Sequence, residues 1–141
     1  MTLYVVDVAV PADTPADNPV EVELVVEEDV VTRVACHFPP GCRGFVHTAV
    51  FLGHIQVFPR PFPNTLHGDA ETISWEEWLP LPGTPCKLTI KAWSPGASYD
   101  HTITWRIVVL PRDVAMWWYV VDKFISLLKL LFRVREEWLS E

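Results

Sequence analysis

Residues able to do chemistry are plentiful in this chain, but their spacing matters more than their number. The five histidines are His37, His47, His54, His67 and His101. The three cysteines are Cys36, Cys42 and Cys86. Cys36, His37 and Cys42 come nearest to a metal cluster. A zinc site needs ligands that converge, and neighbours on a strand point to opposite faces, so no metal is expected there. Asp69, Glu71, Glu76 and Glu77 bracket Trp75 and Trp78. Paired carboxylates beside aromatic rings are what glycoside hydrolysis or sugar binding uses. An edge strand with a solvated acidic face gives the same pattern. Asp13, Asp17, Asp69 and Asp100 lie among turn residues as oxygen donors for calcium, but their spacing is not that of an EF-hand loop. A small hydrolase built on His67 with Asp69 or Glu71 would need a positioned nucleophile or base, and nothing supplies one. Nucleophile elbows, phosphate-binding loops, dinucleotide fingerprints and zinc-protease motifs are all missing. The sequence therefore predicts no catalytic residue, no metal, no cofactor and no enzyme.

The cysteines leave two alternatives open. Cys36 and Cys42 flank the turn Phe38-Pro39-Pro40-Gly41 at a separation where a local disulfide is possible. Alternatively, Cys36 and Cys86 are small hydrophobes buried in strands. An odd count forbids complete pairing within one chain.

The elements that position these residues are mostly strands. Residues 20–27 alternate Val20, Val22, Leu24 and Val26 with Glu21, Glu23 and Glu27, as a half-buried strand does. Further strands are expected over 3–10, 30–38, 45–52, 55–58, 71–79, 86–93 and 101–110. Gly53-His54 between two of them signals a type II′ hairpin. Residues 11–19 hold three prolines and no large apolar residue, and read as a loop or an extended arm. No helix long enough for a parallel crossover lies between the strands, so the sheets must be antiparallel. The prediction is a mainly β fold: a sandwich of about eight strands, jelly-roll or Greek-key, over residues 1–111.

After Pro111 the period changes. Asp113 is placed to cap a helix running from about residue 113 to 138, roughly 38 Å long. Asp122, Ser126, Lys129 and Arg133 are spaced four, three and four, and form one narrow polar stripe. Lys123 lies just outside that stripe, and everything else from Trp117 as far as Val134 is large and apolar. One sandwich cannot cover so wide an apolar surface. The contact residues expected here are Trp117, Trp118, Phe124, Leu128, Leu131 and Phe132. Their partner is expected to be another copy of the chain or a neighbouring subunit. The alternative is a membrane surface, where Trp, Lys and Arg favour the boundary. Spanning a bilayer is opposed by Asp122, Lys123 and Lys129 inside the apolar stretch.

Composition sets the outer limits. The chain has 141 residues, half of them hydrophobic, with 13 prolines, 6 glycines and 7 tryptophans. That favours one ordered domain over disorder, and the prolines oppose an all-helical bundle. The net charge of −7 excludes a basic nucleic-acid-binding domain. Asp7 interrupts the first apolar run and no basic segment precedes it, so no cleaved signal peptide is expected.

Several stretches resemble short β-sandwich virion proteins: the capsid, decoration or penton components of phages and phage-like elements. They are residues 11–19 leading into Val20-Glu21-Val22-Glu23-Leu24, the Phe38-Pro39-Pro40-Gly41-Cys42 turn, Gly53-His54-Ile55-Gln56-Val57-Phe58-Pro59, and Tyr99-Asp100-His101-Thr102-Ile103. The resemblance covers residues 3–110. It implies a structural role, with the chain located in a virion, or in the cytoplasm before assembly. The function expected is a non-enzymatic shell component that self-associates or docks through its C-terminal helix. The alternative is a carbohydrate- or ligand-binding sandwich tethered at a membrane surface, with Trp75, Trp78 and Trp93 as its platform.

Overall fold

The computed structural model describes residues 1–139, with the side chains of all of these except 134 and 136–139. Eight strands are followed by one helix: β1 (Thr2–Val10), β2 (Val20–Val26), β3 (Val30–Phe38), β4 (His47–Leu52), β5 (Ile55–Phe58), β6 (Glu71–Pro80), β7 (Cys86–Trp93), β8 (His101–Leu110) and α1 (Arg112–Leu139). They form two four-stranded antiparallel sheets, ordered β1-β8-β3-β6 and β2-β7-β4-β5. The pairing is nested: β1 with β8, β2 with β7, β3 with β6 and β4 with β5. Such a folded-over set of pairs, shared between two sheets, is a jelly roll.

The strand periodicity places the core. Along β2, Val22 and Leu24 turn towards the partner sheet, while Glu21 and Glu23 turn outward. Those two acids meet Lys91 and Lys87 on β7 at 3.5 and 2.8 Å. Both pairs are exposed, so they set register more than they add stability. β7 and β8 bury alternate residues, including Leu88, Ile90, Ile103 and Trp105. The Trp105 indole N–H donates to Thr48 Oγ1 at 3.1 Å, and that hydroxyl donates to the Lys91 carbonyl at 2.9 Å. The largest core residue is thereby satisfied.

Two strand ends fall short of the predicted spans. Glu27 leaves the ladder because its N–H donates to the Tyr4 hydroxyl. Phe45 belongs to a turn, with its N–H on the Cys42 carbonyl at 2.8 Å. The Gly53-His54 hairpin is present, and φ of +62° at Gly53 is what a type II′ turn requires. The proline-rich segment is a loop tied to its own domain, and not an extended arm. Asp13 Oδ1 accepts the Gly96 N–H, Asp100 Oδ1 accepts the Ala12 N–H, and Ser94 Oγ donates to the Pro11 carbonyl. Cys36, Cys42 and Cys86 are free and buried, as small core residues.

Candidate functional site

The start of α1 is fixed by the sandwich. Pro111 ends β8, and its carbonyl accepts the Ala115 N–H at 3.0 Å. Asp29, in the turn between β2 and β3, accepts the Arg112 N–H through Oδ2 at 3.0 Å. The cap predicted at Asp113 is thus supplied from another part of the chain, and Asp113 lies within the first turn. Its charge there still opposes the positive end of the helix dipole favourably. Ala115 is fully buried against Val30 and Leu110. One turn on, the Tyr119 ring lies 5.7 Å from Trp78 on β6, and the Lys123 ammonium sits 5.4 Å over the Tyr119 ring.

Beyond this seat the helix leaves the domain. From Met116 to Arg133 every residue is exposed. Trp117 is 71% exposed, Phe124 59% and Phe132 60%, and Trp118, Leu128 and Leu131 are exposed with them. Five of the six predicted contact residues lie on the side of α1 away from the sandwich, while Trp118, although exposed, lines a cleft of about 500 Å³ with Met1, Trp78 and Val108 of the sandwich. Sequence reasoning missed Val121, which belongs with them. Trp117, Val121, Phe124, Leu128 and Leu131 are spaced four, three, four and three, so they form a single stripe along one side of α1.

The opposite side carries the seat. Ala115, Tyr119, Asp122, Ser126, Lys129 and Arg133 are also spaced four and three in alternation. The stripe that docks on the sandwich through Ala115 is the one that turns polar further along. The apolar stripe consequently faces away from the chain's own domain. Folding α1 back would bring its polar side to the sheet, so the domain cannot cover its own helix.

The residues of the ligand platform are not brought together. Trp75 points inward on β6, its ring edge-on to Phe58 at 6.0 Å and its N–H donating to Glu77 Oε2 at 2.9 Å. Trp78, an odd number of residues along, faces outward on the same strand. Trp93 lies on the other sheet, stacked on His47 at 6.2 Å. The acids are dispersed as well. Asp69 Oδ1 accepts the Gly41 N–H, while Glu77 takes the Trp75 N–H and an ion pair with Arg60.

Two of the five histidines are engaged in hydrogen bonds within the sandwich. His37 is hydrogen-bonded to Thr72 and His47 to Thr65. Burial holds the His47 pKa below its ordinary value, and the charge of nearby His67 pushes it the same way. The thiols of Cys36, Cys42 and Cys86 are all pushed up by burial, Cys42 also by the Asp69 charge. Among the described residues, no three His, Cys, Asp or Glu side chains group as a metal site. A cleft of about 610 Å³ between the 39–45 and 97–101 loops is lined by Arg43, Phe45, Ser98, Tyr99, Asp100 and His101, and the Asp100 carboxylate accepts the Ala12 N–H at 2.7 Å. No described helix is long and apolar enough to cross a membrane.

No protein-family model and no curated protein matches the chain. Solved structures with a similar β arrangement exist at low identity. The Yersinia pseudotuberculosis-derived mitogen aligns with a TM-score of 0.43 at 6% identity, over 77% of this chain and 86% of the mitogen. A pilus protein of Bacillus endospore appendages gives 0.36 at 11% identity, over 77% and 88%. The tobacco streak virus coat protein gives 0.33 at 13% identity, over 77% and 88%. The functional reading therefore rests on this chain's own residues.

Proposed function

We propose that this chain is a non-enzymatic assembly protein, a component of a virion shell that joins copies of itself through α1. The observation that carries the reading is the apolar stripe of α1, exposed along its described length and turned away from the sandwich. Large apolar side chains gain about 1.5–3 kcal/mol each on leaving water, which is a strong drive towards a partner. Shell subunits are one established use of the jelly roll, alongside lectins and cupins, so fold alone does not choose among them. The choice is supported by the dispersal of the acids and histidines, of which Asp69, Glu77, His37 and His47 are engaged in hydrogen bonds within the sandwich, and by the separated tryptophans.

Sedimentation of the full chain in detergent-free buffer tests this. The expected result is a particle of several 16.1 kDa chains, reduced to one chain by the double substitution Phe124→Glu and Leu128→Glu. A wild-type chain that stays monomeric with its helix exposed would overturn the reading. Placement in a shell is tested by imaging particles from the native source, and particles that lack the chain would exclude it.

A further inference from the structure

The exposed face of α1 is wider than a two-helix seam. In heptad terms Val121 and Leu128 occupy a, and Trp117, Phe124 and Leu131 occupy d. The flanking e positions are Trp118, Ile125 and Phe132, and the g positions are Val120 and Leu127. A two-stranded coiled coil buries a and d and leaves e and g in water, where Glu and Lys normally stand. Here none of those flanking positions is charged. The charges fall elsewhere, with Asp122 and Lys129 at b, Lys123 at c and Arg133 at f. A helix apolar at a, d, e and g needs a neighbour on each side.

The two flanks also differ in size. The e row is bulky (Trp118, Ile125, Phe132) and the g row slimmer (Val120, Leu127). Parallel neighbours set e against g, so large meets small and the rows interlock. Antiparallel neighbours would set large against large. We propose that α1 packs with α1 of other copies as a closed parallel bundle of three or more helices, with the sandwiches on the outside. This rests on the self-association proposed above and specifies its geometry. Ala115 and Tyr119, the residues that seat α1 on the sandwich, occupy b and f, which face outward in such a bundle.

Two quantities favour copies of the chain as the occupant. Four exposed aromatics (Trp117, Trp118, Phe124, Phe132) and the aliphatic residues beside them offer on the order of 1,000 Å² per copy. That exceeds the ~800 Å² per partner of a stable interface. The chain's net charge of −7 also opposes approach to an anionic lipid surface.

The mass of the full chain in detergent-free buffer, by light scattering at fixed concentration, reads the copy number. Three or more copies of 16.1 kDa are expected. A dimer would overturn the bundle and leave self-association standing, and a monomer would overturn both. The double variant Ile125→Glu and Leu127→Glu, altered only on the flanks, is expected to fall to two copies or fewer. Full retention of the larger mass would show that e and g are not buried. Cooperative urea unfolding followed by circular dichroism in the β-sheet region checks that the sandwich remains folded. Orientation is read separately by mild oxidation of single variants. Leu131→Cys is expected to cross-link between copies and Ser126→Cys not to. Absence of the Leu131→Cys cross-link in an assembled particle would overturn the parallel register. Flotation with vesicles of phosphatidylcholine and phosphatidylserine gives the remaining outcome. A wild-type chain that floats and is monomeric without lipid would assign the face to a membrane.

Discussion

Asp29 and Arg112, 83 residues apart in sequence, meet at 3.0 Å, where the Asp29 carboxylate accepts the Arg112 backbone N–H and caps α1. The contact links the β2–β3 turn to the helix and, with buried Ala115, sets the direction in which α1 departs. Any assembly through α1 inherits that direction. Asp29→Ala is expected to cost about 1 kcal/mol, the usual effect of losing an N-terminal cap, while Asp29→Asn retains most of it. Thermal unfolding followed by circular dichroism at fixed protein concentration measures both. If Ala and Asn behave alike, the capping bond contributes nothing.

Thr48 and Trp105 supply a second test, inside the core. Thr48→Val keeps the volume but removes the oxygen that accepts the Trp105 indole N–H. A buried donor left without a partner costs about 1–3 kcal/mol, so the urea midpoint should drop accordingly. Thr48→Ser, which keeps the hydroxyl, should lose much less. A loss confined to Thr48→Ser, with Thr48→Val close to the wild type, would show that the methyl contacts, and not the hydrogen bond, set the stability.

These contacts also show what can be read from the chain without its structure. The β2 alternation of Val and Glu, the Gly53-His54 hairpin and the polar stripe of α1 are local periodicities. They gave the right elements with ends displaced by a residue or two. The separation of Trp75 from Trp78 was legible too, because an odd spacing on a strand places two residues on opposite faces. The Asp29 cap was not, since no periodic signal links the β2–β3 turn to a helix 83 residues away. Nor was the direction of the apolar stripe, which depends on where Ala115 seats. Strand order is equally non-local, because β1 pairs with β8 across almost the whole sandwich.

Acid stability should report His47. Burial first, and then the charge of His67, lowers its pKa, so the folded chain favours the neutral ring. The unfolded chain binds that proton more readily. Stability from this group is therefore full above the ordinary histidine value of about 6.5 and is lost as pH falls below it. Glu28 acts in the same direction but lower. Hydrogen bonds from Thr2 and then Tyr4 depress its pKa, so its contribution fades only in the carboxylate range. Urea midpoints measured between about pH 7.5 and 5.5 should decline in the wild type and decline less in His47→Gln. Parallel profiles would mean that His47 is not perturbed by folding.

Cysteine chemistry separates the two alternatives that spacing left open. Cys36, Cys42 and Cys86 are all buried free thiols, with ionisation opposed by burial in each case. The thiolate is the reactive species, so both low access and low ionisation protect them. A thiol reagent applied to the native chain at mildly alkaline pH should label none of the three, and all three should react in denaturant. Mild oxidation of the native chain should leave its mass unchanged. Loss of two titratable thiols after oxidation, with a bridge mapped between Cys36 and Cys42, would show that the turn between them brings the two sulfurs within bonding reach. Slow labelling that tracks global unfolding would instead place all three in the same cooperative core as Trp105, which their burial requires.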